Sequence, residues 1–208
     1  MPRVRVHQHV NPLAPYYRFT PKPWEIEKVF ENPDLLLHLD IGCARGRFIL
    51  KMAEIQKSWN FLGLEIREPL VEEANRLAKE ADLKNLHYEF CNATHALDKF
   101  LEKLPADILQ TVTIQFPDPW FKNKHAKRRM VKDKMVETIV EHLKIAGNVF
   151  IQTDVDFLAE EMFEIFRENK RLREFKISEN SFPVKTERET AVEEKELPIF
   201  RRVFEKIK

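Results

Sequence analysis

From residue 35 onward, short and nearly continuous apolar runs alternate with longer stretches in which apolar residues recur at every third or fourth position. The first pattern belongs to strands covered on both faces, the second to helices with one buried stripe. Strands are expected at 35–41, 60–65, 86–90, 109–116 and 148–153, and helices at 47–56, 69–81, 96–104, 133–143 and 155–169. Leu70, Ala74, Leu77 and Ala81 share one helical face, and Phe157, Leu158, Met162, Ile165 and Phe166 another. Two further strands, 173–177 and 199–206, close the chain. Alternating β and α predicts an α/β fold: a Rossmann-like, doubly wound, mostly parallel seven-stranded sheet with helices on both faces, its last two strands forming an antiparallel edge hairpin.

Ahead of this pattern, residues 1–23 carry five prolines and four cations, with Tyr16 and Tyr17 adjacent. They read as a basic, Pro-rich N-terminal arm, either touching RNA or frayed. A short helix at 24–30 opens a single domain spanning 24–208, and no break in composition supports a second one.

In a doubly wound sheet, ligands bind where the strands end, beside the first strand. That turn reads Asp40-Ile41-Gly42-Cys43-Ala44-Arg45-Gly46-Arg47-Phe48. Ala44 breaks the dinucleotide fingerprint, and the Lys-Ser/Thr of a phosphate loop is absent. Instead an acid precedes the first glycine, which suits a cofactor without phosphates. S-adenosyl-L-methionine carries a sulfonium, an ammonium and a carboxylate. Asp40 can face its cationic end, while Gly42 and Gly46 let the backbone pass close. Glu65, twenty-five residues on, can accept from ribose hydroxyls, and Asn92 can read an adenine edge. Ala44 obstructs little if its φ is negative.

Charge changes the picture locally rather than globally. The net charge is only +1, which excludes a general polyanion binder. Yet residues 122–134 hold seven Lys/Arg against Asp133, and residues 179–196 hold six Glu against three cations. The cationic window follows Phe116-Pro117-Asp118-Pro119-Trp120-Phe121, in which two prolines should press Phe116 and Asp118 into extended geometry. A carboxylate at a strand end, then rings, then cations suits a nucleic-acid base brought to a reactive pocket; the other reading is a turn beside a solvated basic face. Five or six cations on phosphates would give a salt slope of about −4 to −5. Trp120 or Phe121 could stack on a flipped base, or Trp120 could be core. Thr153 or Asp154 could cap the following helix, and Thr186-Glu187-Arg188-Glu189 spells a capping box. Cys43 and Cys91 have neither metal nor disulfide spacing, the N-terminus lacks a signal core, and no run reaches the ~18 apolar residues of a membrane span, so a cytoplasmic protein without metal or membrane is expected.

Taken together, the segments 40–48, 63–67 (Gly-Leu-Glu-Ile-Arg), 116–129, 153–154 and 186–189 resemble the bacterial tRNA (guanine(46)-N7)-methyltransferase family, in that family's order. The resemblance implies an S-adenosylmethionine-dependent enzyme methylating a guanosine of the tRNA variable loop. It implies cofactor contacts at Asp40, Glu65, Asn92 and Asp118, and substrate contacts at Lys122, Asp154, Thr186 and Glu189. It makes 124–129 an RNA-contacting segment, with Lys124, Lys127, Arg128 and Arg129. For the reaction itself, Asp118 is expected between cofactor and base and Asp154 on the guanine N1–H/N2–H edge. Three positions depart from the family's pattern: Ala44 where glycine is usual, Asn92 where Asp is common, and Phe121 where proline is common. The alternative is a methyltransferase acting on an exocyclic amine of adenine or guanine, whose Asp/Asn-Pro-Pro-aromatic tract the sequence matches imperfectly. The oligomeric state, monomer or homodimer, is left open by the sequence.

Overall fold

The computed structural model describes residues 10–19 and 24–208, so the remaining residues of the expected N-terminal arm lie outside the described residues. In chain order the elements are α1 (Ile26–Val29), β1 (Leu37–Ile41), α2 (Arg47–Ile55), β2 (Asn60–Glu65), α3 (Glu68–Glu80), β3 (Leu86–Phe90), α4 (Ala93–Leu101) and β4 (Leu109–Gln115). They continue with α5 (Asp133–His142), β5 (Asn148–Thr153), α6 (Asp156–Glu168), β6 (Leu172–Lys176), α7 (Glu187–Glu193) and β7 (Phe200–Lys206). The seven strands lie in the order β3-β2-β1-β4-β5-β7-β6. The first five are parallel, and β7 is antiparallel to both its neighbours. The two closing strands pair as expected, but β7 takes the inner place, and residues 177–199 between them form a long excursion containing α7 rather than a tight turn.

The central strands are buried along their whole length, as their apolar runs require: every residue of β1 and β2 is buried. One core packs α4, α5 and α6 on one face of the sheet, with Phe100, Ile139 and Phe163 fully buried. The other packs α2 and α3 on the opposite face around Ile49, Phe61 and Tyr88. Chain order reverses between β1 and β4, and the crevice at their carboxyl ends opens there.

Glycine is needed in the turn after β1, for reasons the sequence did not show. Gly46 has φ +69°, and a Cβ there would lie 2.6 Å from Tyr88 Cζ and 2.7 Å from its oxygen. That hydroxyl also donates to the Gly46 carbonyl at 2.7 Å. Gly46 therefore receives Tyr88 and starts α2. Ala44 has φ +51°, so the benign negative-φ expectation is corrected: the alanine holds a left-handed conformation. The helix expected at 96–104 begins three residues earlier, because the Asn92 carbonyl already accepts from the amides of His95 and Ala96.

Gly46→Ala should cost about 2–4 kcal/mol of unfolding free energy, from overpacking on Tyr88 plus the left-handed backbone. Ala44→Gly should instead be neutral or stabilise by up to about 1 kcal/mol. Denaturant melts of the two variants check this pair of opposite signs.

Candidate active site

The carboxyl ends of β1, β2, β4 and β5 deliver four acids to one cavity of about 850 Å³: Asp40, Glu65, Asp118 and Asp154 all line it. Its size falls within the usual range for small-molecule sites. Gly42, Asn92, Lys122, Arg128 and Thr186 line it too. Five of the residues expected to act do not: Gly46, Lys124, Lys127, Arg129 and Glu189 are absent from its wall.

Asp40 is buried, 4% exposed. Burial pushes its carboxyl up to about 6, although Thr113 donates to it at 2.6 Å. The single hydroxyl proton of Thr113 is thereby committed, so His38 Nε2, 3.1 Å from that oxygen, donates to it. His38 is itself buried, which pushes its pKa down to about 3 and keeps it neutral. A relay of dipoles thus points at Asp40, but among the described residues no cation pairs with it.

Glu65 is 3% exposed and already engaged. It accepts from Ala44 N at 2.9 Å, from Arg67 N at 3.0 Å, and from the Arg67 guanidinium at 2.9 and 3.1 Å. To accept ribose hydroxyls it must loosen the Arg67 fork. Asn92 is placed differently from expectation: its amide donates to the carbonyls of Pro12 at 2.8 Å and Tyr17 at 3.0 Å. It anchors the N-terminal segment, whose Phe19 stacks on Phe90 at 4.5 Å and whose Val10 and Pro12 line the cavity.

The corner after β4 also differs from the extended geometry expected of it. Phe116 has φ +49° and Trp120 φ +45°, so the backbone turns left-handed on both sides of Pro117-Asp118-Pro119. Arg129 holds it there. Its Nε donates to the Pro119 carbonyl at 3.0 Å and its Nη2 to that of Trp120 at 3.4 Å, while Nη1 pairs with Glu161 on α6. At 9% exposure Arg129 is a strut inside the protein and cannot face a phosphate. Arg128 lies 4.9 Å over the Trp120 ring, and the His125 ring meets that ring edge-on at 5.7 Å. Lys122, Lys124 and Lys127 remain exposed on the short 3₁₀ turn that follows.

Asp154 is not a helix cap: α6 begins at Asp156, and Thr153 Oγ1 accepts from Val155 N instead. Asp154 turns to the cavity and pairs with Arg188. The capping box at the start of α7 is real, with Glu189 N donating to Thr186 Oγ1 at 3.0 Å. Glu189 is wholly buried, where it accepts from Arg201 at 2.9 Å, Asn180 at 2.8 Å and Gln152 at 3.1 Å. It therefore sits beneath the site and fixes the turn that presents Thr186 and Arg188. Sequence reasoning missed Arg67, Arg188 and Arg201; only Arg67 and Arg188 lay within segments it had marked.

The strand order, with its antiparallel β7, and a cavity at the reversal point define the α/β methyltransferase class. A solved rRNA methylase from Streptococcus thermophilus shares the fold at TM-score 0.55, with 11% identity, over 88% of this chain and 92% of that one. So does "SMU.1697c, a putative methyltransferase from streptococcus mutans in complex with SAH", at TM-score 0.54 and 10% identity, over 88% of this chain and 95% of that one. Residues 34–202 match a family described as "Putative methyltransferase". The tRNA (guanine-N(7)-)-methyltransferase of Trichormus variabilis is 52% identical over 100% of this chain and 98% of its own length. The enzyme of the same name from Synechococcus elongatus is 49% identical over 98% and 97%. The chain belongs to the tRNA (guanine-N(7)-)-methyltransferase family.

Arg129→Ala should lower stability by about 2–4 kcal/mol, since it orphans two carbonyls and Glu161. Lys127→Ala should change it by under about 0.5 kcal/mol. Urea unfolding of both variants distinguishes a strut from a surface cation.

Proposed function

We propose that the protein transfers a methyl group from S-adenosyl-L-methionine to N7 of a guanosine in tRNA, position 46 of the variable loop being the one its family resemblance implies. The observation that carries this reading is the convergence of Asp40, Glu65, Asp118 and Asp154 on one cavity whose rim bears Lys122 and Arg128. The site fits the cofactor: a buried, cation-seeking Asp40 suits the ammonium, and Glu65 the ribose once Arg67 yields.

When bound, S-adenosylmethionine supplies a methyl group on a positively charged sulfur. Guanine N7 has a free lone pair and no proton, so the residues need only orient the base and stabilise charge. Orientation can lower the barrier by roughly 7–11 kcal/mol. Asp118, fixed by its flanking prolines and the Arg129 strut, faces the positive charge that builds on the imidazole ring. Asp154 accepts from the N1–H/N2–H edge, replacing its bond to Arg188. Lys122, Lys124 and Lys127 meet phosphates of the RNA.

Incubating the protein with unmodified tRNA and labelled cofactor, then cleaving at N7-methylguanosine, should give one cut in the variable loop. Label without that cut would point to the exocyclic amine instead. Replacing Lys122, Lys124 and Lys127 with Ala should flatten the plot of log K against log[salt] by about 2–3, at 0.7–0.9 per phosphate. An unchanged slope would remove them from the RNA interface.

Asp40 also fixes a pH dependence. A pKa raised from 3.8 to about 6 means its contribution to stability is fully present below pH 4 and lost as pH rises through 6. A bound cation offsets that loss only when Asp40 is charged. S-adenosylhomocysteine, which keeps the ammonium, should therefore bind more tightly as pH rises from 5 to 7 and level off above. Asp40→Asn should flatten the profile and weaken binding at least about tenfold at pH 7.5. Calorimetric titrations across this range measure both.

A further inference from the structure

Phe121 lines the mouth of the cavity on the side of the cationic turn, and Phe157 packs against it. Phe121 is 70% exposed and Phe157 43%. Their centroids are 5.9 Å apart and their planes inclined by 66°, an edge-to-face pair. Phe157 sits in the first turn of α6, and the Arg129 guanidinium lies 4.9 Å from its centroid. Arg129 is in turn bonded to the corner carbonyls and to Glu161. The exposed ring is thus braced from behind by fixed groups. Lys122 and Lys124, both exposed, follow it directly in the chain. Trp120, the other aromatic candidate, already has Arg128 over its ring and His125 against its edge.

We propose that Phe121, backed by Phe157, is a stacking subsite for the unpaired nucleotide adjacent to the target guanine, a step that rests on the tRNA reading above. The target base has to reach Asp118 and Asp154 inside the cavity. A ring as open as Phe121, at the mouth, meets the next base along the strand, and the lysines beside it suit that nucleotide's phosphate. Stacking on an aromatic ring tolerates any base. The subsite therefore holds the strand flat at the mouth and does not read its sequence.

The test compares Phe121→Ala, Phe121→Leu and Phe121→Trp in equilibrium binding and kinetics with one defined unmodified tRNA. The Ala and Leu variants should weaken tRNA binding and raise KM by about 5- to 100-fold, the range of one base–aromatic stack, with kcat and S-adenosylhomocysteine affinity kept. Phe121→Trp should bind like the parent. An abasic nucleotide placed in turn on each side of the target should weaken binding to the parent from one side only, with no further loss in Phe121→Ala. Leucine serving as well as phenylalanine, or an abasic loss equal in both proteins, would overturn the subsite. So would a fall in sedimentation mass with RNA affinity intact, which would give the ring pair to a contact between copies of the chain. A parent protein that neither binds nor methylates tRNA would sink the broader reading and the subsite with it, and that is seen before any variant is made.

Discussion

The site depends on one buried guanidinium. After β4 the backbone takes two left-handed residues, Phe116 and Trp120, around two prolines that admit little adjustment. Each such residue stores of order 1–3 kcal/mol of strain. The chain tolerates it because Arg129 caps the Pro119 and Trp120 carbonyls from inside and is neutralised by Glu161. A planar fork can serve two carbonyls and a carboxylate at once, which an ammonium on a flexible stem does poorly. The backbone that carries Asp118 is therefore held from inside the protein.

A second buried arginine does the equivalent work on the opposite lip. Arg201, on β7, spans Gln152 of β5 and the wholly buried Glu189 of α7. Glu189 cannot be removed alone without leaving the buried Arg201 with only the longer contact to Glu193, at 3.4 Å, as its carboxylate partner. Its other bonds close the capping box, so the first turn of α7 is locked to the sheet with Thr186 and Arg188 turned to the cavity. Phe182 adds the apolar half of this attachment, meeting His38 at 5.3 Å and Phe150 at 5.2 Å. Both lips are held by arginines whose partners lie on other elements, which is how a shallow crevice becomes a cavity of fixed shape.

The strands and the four acids were legible because each leaves a local mark: an apolar run ends, and a carboxylate stands at its tip. Asp40, Glu65, Asp118 and Asp154 come together for that reason alone. The arginines left no such mark. A buried Arg129 and a solvated Lys127 look alike in a basic tract, and the partner that distinguishes them, Glu161, lies 32 residues away. Glu189 reads as a cap, correctly, yet its bonds to Arg201 and Gln152 cross between elements. Gly46 was read as room for a ligand because nothing near it in sequence names Tyr88 as the occupant. What mostly failed to show was long-range pairing, together with the left-handed backbone at Ala44, Phe116 and Trp120.

The three departures from the family's pattern can be weighed in the same terms. Ala44 carries a left-handed backbone that glycine would hold with less strain, and its amide donates to Glu65 at 2.9 Å, so the turn is kept by that bond. Phe121 takes a place where proline would have offered no aromatic ring. Asn92 is the most telling. It faces two carbonyl oxygens, from Pro12 and Tyr17, and only an amide nitrogen can donate to both. An aspartate there would set a carboxylate against two acceptors in a site 1% exposed, where that repulsion is strong. The asparagine and the segment it holds are therefore one feature: the side chain that gave up a negative charge at the third strand end gained a piece of chain, Val10 to Phe19, as part of the cavity wall.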